Sequence, residues 1–190
     1  MPKGVFPGYS KHPDETSPFI VGCLNDLPNI LDFRREYGVD LGAGNLRHSK
    51  MLVNKFGFRK VVAIDTDPHI SGPVEEAIEV QRKSVTDFRA QPSSLDAAIL
   101  WNVSYLLSTM QLQEVLRRVR FSLRRHGVFF GNFFSIPEAP QRTRHFLTPF
   151  GEEKIRTALE GLELAIQPME MELLDQLPGA QMLAVLAYKP

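Results

Sequence analysis

Two kinds of apolar pattern share this chain. Nearly continuous runs, Lys60 to Ile64, Leu95 to Trp101 and Val128 to Phe134, read as parallel strands covered on both faces. Between them apolar residues recur at three- and four-residue spacing, as on one side of a helix. Leu46, Met51, Leu52, Val53 and Phe56 form one such stripe, opened by Asn45 as a cap and closed by Gly57. Leu112, Val115, Leu116, Val119 and Leu123 form another, predicting a helix over Gln111 to Arg125 stopped by Gly127. Further expectations are a helix over Asn29 to Tyr37, a short strand from Tyr37 into Asp40 and a helix opening at Gly72-Pro73 with Val74, Ala77 and Ile78 inward. A strand over Val80 to Val85 and a helix over Glu152 to Glu160 follow the same reasoning. Leu162 to Leu174 and Ala180 to Tyr188 alternate in period two around Leu177-Pro178-Gly179, so they pair antiparallel. The pattern is that of an α/β domain with a parallel start and a C-terminal antiparallel hairpin.

Two stretches break the pattern. Residues 1–18 hold four prolines and two glycines and predict an extended arm. Residues 135–150 hold three prolines and the basic group Arg142-Thr143-Arg144-His145, an aperiodic length that points to a functional loop. The expected organisation is an arm with a short helix over 1–36 and a single domain over 37–190.

Composition narrows the functions. With 190 residues there is material for one domain with a sizeable core. The 22 basic and 22 acidic side chains balance, which argues against nonspecific nucleic-acid binding. The single cysteine, Cys23, excludes an intrachain disulfide and reads as a small core residue. His12, His48, His69 and His126 have no cysteines or paired carboxylates around them, so no metal is expected. With no apolar run of about 18 residues and no charged-then-apolar start, a cytoplasmic protein is expected.

The chemistry concentrates in Asp40-Leu41-Gly42-Ala43-Gly44-Asn45 and Val61-Val62-Ala63-Ile64-Asp65. Two glycines one residue apart after a strand let the chain turn sharply and bring main-chain N–H groups against a ligand. Asp65, 21 residues after Gly44, is placed to accept both hydroxyls of a ribose. Arg47 replaces the third glycine of a dinucleotide fingerprint, and the acid Asp40 would repel a phosphate. A cationic adenosyl ligand without phosphate fits better, which favours S-adenosyl-L-methionine over a nicotinamide cofactor.

At these motifs the sequence resembles the class I S-adenosylmethionine-dependent methyltransferases. Asp40 to Gly44 is similar to their first motif and Val62 to Asp65 to their second. Gly44-Asn45-Leu46-Arg47-His48-Ser49 resembles the small-molecule branch with the tellurite-resistance and thiopurine enzymes, with Leu46 and His48 as departures and no glycine at Leu46. The resemblance implies a Rossmann-like three-layer αβα sandwich with a mostly parallel seven-stranded sheet. It implies Gly42, Gly44 and Asn45 on the methionine part of the cofactor, Asp65 on the ribose, and Asp87 with the Phe88 N–H on the adenine. Asn102 and Tyr105 follow the fourth strand, where the methyl group projects. Tyr105 and His145 are the catalytic candidates, since a dedicated base is optional for sulfonium methyl transfer. The expected partner is a small-molecule acceptor. Two alternatives stay open: a noncatalytic S-adenosylmethionine-binding partner subunit, and an RNA or protein methyltransferase docking through Arg117, Arg118, Arg120, Arg124 and Arg125. Oligomeric state is not legible.

Overall fold

The computed structural model describes residues 16–30, 32–68, 70, 75–135, 148–169 and 180–190. Its strands are β1 (Tyr37–Leu41), β2 (Lys60–Asp65), β3 (Ile78–Arg82), β4 (Leu95–Leu100), β5 (Leu123–Ser135), β6 (Glu163–Met169) and β7 (Gln181–Tyr188). They form one seven-stranded sheet in the order β3-β2-β1-β4-β5-β7-β6. The first five strands run parallel, and β7 is antiparallel to both β5 and β6. The edge strand β6 carries Pro168, which has no N–H to offer a further strand.

Period-two alternation divides the sheet residues between its faces. Ala97, Ile99, Val128 and Phe130 point to the side covered by α1 (Pro18–Ile30) and α2 (Arg47–Asn54). Ala98, Leu100, Phe129 and Phe133 point to the side covered by α3 (Thr109–Ser122) and α4 (Glu152–Ala158). The predicted three-layer α/β sandwich is therefore observed. Ser108 and Gln111 close a reciprocal capping box at the start of α3.

Four expected elements differ. No helix spans Asn29 to Tyr37; the helix that precedes β1 is α1, whose Ile20, Leu24 and Leu27 share one face and are buried against the sheet. Of the helix expected from Gly72, residues 71–74 lie outside the described residues, and Ile78 already belongs to β3, paired with Val61. Ile78 and Val80 alternate with Glu79 and Gln81, and the hydrogen-bonding edge of β2 selects that period over the helical one. Helix α3 stops at Ser122 rather than Arg125, because Leu123 turns extended and pairs with Leu95. Gly127 thus lies inside β5, where a Cβ would stand 2.7 Å from the Leu95 carbonyl. His126 sits there at φ 65°, with Nδ1 2.7 Å from the Tyr188 hydroxyl, and caps no helix. Strand β6 ends at Met169, and residues 170–179 lie outside the described residues.

Of the arginines expected to share one helix face, Arg124 and Arg125 move to β5 by the same change, while Arg117, Arg118 and Arg120 stay on α3. Arg117 and Arg118 both bind Glu114, and Arg118 also donates to the Thr86 carbonyl. Arg124 lies on β5 with Nε 3.0 Å from Oδ1 of the buried Asp96. The other carboxylate oxygen of Asp96 accepts from the N–H groups of Glu36 and Tyr37, each at 2.8 Å, and so fixes the entry to β1. Asp96→Ala should cost about 3 to 5 kcal/mol, the usual penalty for orphaning one partner of a buried ion pair. Urea denaturation of the two proteins checks it.

Candidate functional site

At the carboxyl ends of the parallel strands a cavity of about 310 Å³ opens, within the range of small-molecule sites. Its lining comes from four strand ends. Ser84 and Val85 follow β3, Asp65 and Thr66 close β2, Gly42 to Asn45 with Arg47 and His48 follow β1, and Trp101 to Val103 follow β4. Leu106 and Leu107 complete an apolar rim.

The turn after β1 is built from backbone bonds. The N–H groups of Gly42 and Ala43 both donate to the Ile64 carbonyl, at 2.7 and 3.1 Å. The Gly44 N–H donates to Asp65 Oδ2 at 2.8 Å, and Asp65 Oδ1 accepts from the Asp67 N–H at 2.9 Å. Gly42 sits at φ 78°, and a Cβ there would lie 2.1 Å from Val103 Cγ2, so no larger residue fits. Leu46 occupies the left-handed region at φ 65° with its side chain buried. A leucine thus stands in a conformation that favours glycine, which is the backbone reason for a glycine there in the resembling motif. Asn45 does not cap α2 as expected: Leu46 is the capping position, and Asn45 Oδ1 accepts from the Arg47 N–H at 3.4 Å.

Of the residues expected at the site, Gly42, Gly44, Asn45, Asp65 and Asn102 line one cavity. Asp40 does not. It is 1% exposed behind the turn and accepts from Ser49 Oγ at 2.7 Å, and burial pushes its carboxyl up to about 6 despite that bond. Asp87 ends a 3₁₀ turn, Val85–Asp87, as an exposed residue, while Phe88 is buried in the core; neither lines the cavity. Tyr105 lies on a second 3₁₀ turn, Ser104–Leu106, outside the lining, where its carbonyl accepts from the Thr148 N–H. His145, with Arg142 and Arg144, falls outside the described residues, as do His12 and His69. Cys23 is partly buried and packs beside the α1 face of the core.

Two features escaped the sequence reading, the Asn132 clasp and the stacking of Phe19 on Trp101. Asn132 on β5 is 2% exposed and clasps Asn102: its Oδ1 accepts from the Asn102 N–H and its Nδ2 donates to Asn102 Oδ1, both at 2.7 Å. A backbone N–H can only donate, so the clasp fixes both amides and leaves Nδ2 of Asn102 as the free end. A lone asparagine within Phe129-Phe130-Gly131-Asn132-Phe133-Phe134 was the available signal, because a polar side chain in such a run needs a partner. His48 is 4% exposed, its ring edge-to-face with Trp101 at 6.5 Å between centroids, and its Nε2 has no hydrogen-bond partner. Burial, with the neighbouring Arg47 cation, pushes this imidazole down to about 3. The Trp101 ring in turn stacks on Phe19 at 5.9 Å, which brings α1 to the cavity wall. Among the described residues no helix is long and apolar enough to cross a membrane, and no three potential metal-binding side chains gather.

With this geometry the molecule falls into the Rossmann-like fold of the class I methyltransferases. No family model matches the sequence, and no curated protein is similar to it in sequence. Solved structures are similar in fold. An S-adenosylmethionine-dependent methyltransferase from Listeria monocytogenes aligns with TM-score 0.64 at 18% identity, over 90% of this chain and 99% of that one. The 1,6-didemethyltoxoflavin-N1-methyltransferase of Burkholderia thailandensis, solved with its substrate and S-adenosylhomocysteine, gives 0.62 at 17%, over 92% and 91%. The [4+2]-cyclase SpnF gives 0.68 at 12%, over 98% and 87%, so one scaffold serves more than one reaction.

Two expectations concern stability. The Asp40 carboxyl is raised above its unfolded value, so the folded state holds the proton more tightly and loses stability as pH rises from about 4 through 6. Asp40→Asn should therefore be more stable than the parent by about 3 kcal/mol at pH 8, and this difference should vanish below about pH 4. Urea midpoints across that range measure it. For Leu46→Gly, release of left-handed strain returns about 1 to 2 kcal/mol. Loss of the buried side chain costs more, about 2 to 5 kcal/mol, so the variant should be about 1 to 3 kcal/mol less stable by the same assay.

Proposed function

We propose that this protein binds S-adenosyl-L-methionine in the cavity and transfers its methyl group to a small-molecule acceptor in the cytoplasm. The observation that carries the reading is the joint between Gly44 and Asp65, where a turn free of side-chain bulk meets a half-buried carboxylate at the cavity wall. Each oxygen of Asp65 accepts one backbone N–H and keeps a second lone pair for a ribose hydroxyl. A ligand with no phosphate suits a site with this carboxylate at its centre.

The chain's residues divide the work along the strand ends. Ser84 and Val85 flank the adenine end, with Asp87 and Phe88 continuing the same turn as further candidates there. Asp65 holds the ribose, and Gly42, Gly44 and Asn45 hold the amino-acid part. Asp40 supports that turn from behind through Ser49. Trp101, Asn102, Val103, Leu106 and Leu107 form the wall beside the acceptor. Bound there, the sulfonium supplies an activated methyl group with a good leaving group. The protein aligns the acceptor and excludes water, a contribution of about 7 to 11 kcal/mol in well-oriented systems. The likeness of the glycine loop to the tellurite-resistance and thiopurine branch supports a small acceptor.

Calorimetry with S-adenosylmethionine, S-adenosylhomocysteine and NAD tests the cofactor class, and binding of NAD alone would end the reading. Asp65→Ala should weaken S-adenosylhomocysteine by about 2 to 4 kcal/mol, the loss of two charge-assisted bonds to the ribose. An unchanged affinity removes Asp65 from the site. Tight cofactor binding without turnover on small molecules, peptides or RNA would favour a noncatalytic partner subunit.

A further inference from the structure

Asn102 follows β4 at φ 62°, a left-handed conformation that asparagine adopts more readily than most residues. Asn132 accepts its backbone N–H and donates to its Oδ1, and Ser104 Oγ donates to the Asn132 carbonyl, so the chain leaving β4 is tied to β5 at three points. What remains of the outer amide is its nitrogen. Among the described residues Nδ2 of Asn102 donates to no protein group, yet it is not one of the unpartnered side-chain atoms sealed from solvent, so it keeps accessible surface. Its inner side is filled by Asn132, which is 2% exposed, and Asn102 itself lines the cavity between Trp101 and Val103. The open side of Nδ2 is the cavity side.

We propose that Nδ2 of Asn102 donates a hydrogen bond to a carbonyl or carboxylate oxygen of the ligand at the β4 end of the cavity, and so selects for ligands that carry an oxygen there. On the adenosyl-donor reading above, on which this inference rests, that oxygen has two sources: the carboxylate of the donor's amino-acid part, or a group on the acceptor.

The chemistry of the amide supports the choice. An amide nitrogen has only N–H to offer, and the Oδ1 that could accept is engaged inward. A lone pair completes the bonding of Nδ2, whereas an amine or ammonium at the same point sets donor against donor. The clasp fixes the amide before any ligand arrives, so little rotamer freedom is lost on binding. Trp101, Val103, Leu106 and Leu107 surround it with apolar wall, where a hydrogen bond is stronger and a mismatch costs more.

The test follows the side-chain N–H pair of Asn102 in ¹H–¹⁵N spectra of the wild type with two matched pairs of probes. The first pair is S-adenosylhomocysteine and its analogue lacking the carboxylate. The second, added to the protein loaded with S-adenosylhomocysteine, is benzoate and benzylamine, which share a ring for the apolar wall and differ in the polar group. A downfield shift with S-adenosylhomocysteine and none with its decarboxylated analogue assigns the bond to the donor's carboxylate. No shift with either cofactor probe and a shift with benzoate alone assigns it to the acceptor. No shift with any probe, a shift of equal size from both members of a pair, or a shift confined to benzylamine would overturn the proposal. Calorimetry on Asn102→Asp gives an independent readout. Aspartate tolerates the same backbone and keeps an oxygen for Asn132 Nδ2, but has no N–H. It should lose about tenfold toward the oxygen-bearing member of the responding pair and nothing toward the other. A loss common to both members is what a merely structural role would give, and overturns the proposal; should this variant fail to fold, the wild-type spectra decide alone. A wild type that binds neither cofactor probe removes the adenosyl-donor reading instead, and benzoate and benzylamine on the ligand-free protein then decide the fate of Asn102 by the same criteria.

Discussion

Backbone amides leaving β1 end on the last residues of β2, and the site depends on that joint. Gly42 and Ala43 donate to the Ile64 carbonyl and Gly44 donates to the Asp65 carboxylate. The bonds require the parallel register that sets Leu41 beside Ile64, so the sheet itself aims Asp65. They also require tight backbone. Gly42 has Val103 where a side chain would be, and Leu46 stays left-handed because its side chain is anchored among Ala43, Ala63, Ile70 and Ile78. Packing beneath the turn thus holds in place a conformation that leucine would not choose alone.

Charge is arranged around this joint in depth. Asp65 lies at the cavity wall and Asp40 lies behind the turn, where burial raises the Asp40 carboxyl and the Asp65 charge adds to that rise. Toward β4 the character changes to Trp101, Val103, Leu106 and Leu107, with a neutral imidazole, a neutral amide and the Arg47 cation as the polar groups. A ligand with a polar sugar, a zwitterionic tail and a reactive group facing an apolar wall matches this gradient better than one that is charged throughout.

Much of the fold was legible because period and punctuation agreed. The glycine pair, the second acid and the apolar runs of β2, β4 and β5 each gave one reading, and their strands formed where expected. The failures came where two periods fit one stretch. Ile78 to Val80 satisfies helix and strand alike, and the pairing edge of β2 decides for the strand, an influence that no local window contains. Likewise Leu123 extends the apolar stripe of α3, yet its pairing with Leu95 takes it into the sheet. In the site, Asp65 could be read from its spacing. The burial of Asp40 and the isolation of His48 could not, because both depend on how α2 packs over the end of β1. Asn132 was visible as an oddity but its partner was not, since the two asparagines are 30 residues apart.

The asparagine clasp also separates what a ligand touches from what decides its fit. Asn102 borders the cavity, but Asn132, sealed inside the sheet, dictates which end of that amide faces outward. Replacing the inner amide by a group that only accepts would rotate the outer one and exchange donor for acceptor at the wall, with the cavity's shape intact. Selectivity at this point is therefore open to drift or redesign from a residue no ligand meets, and surveys confined to the lining would overlook its source.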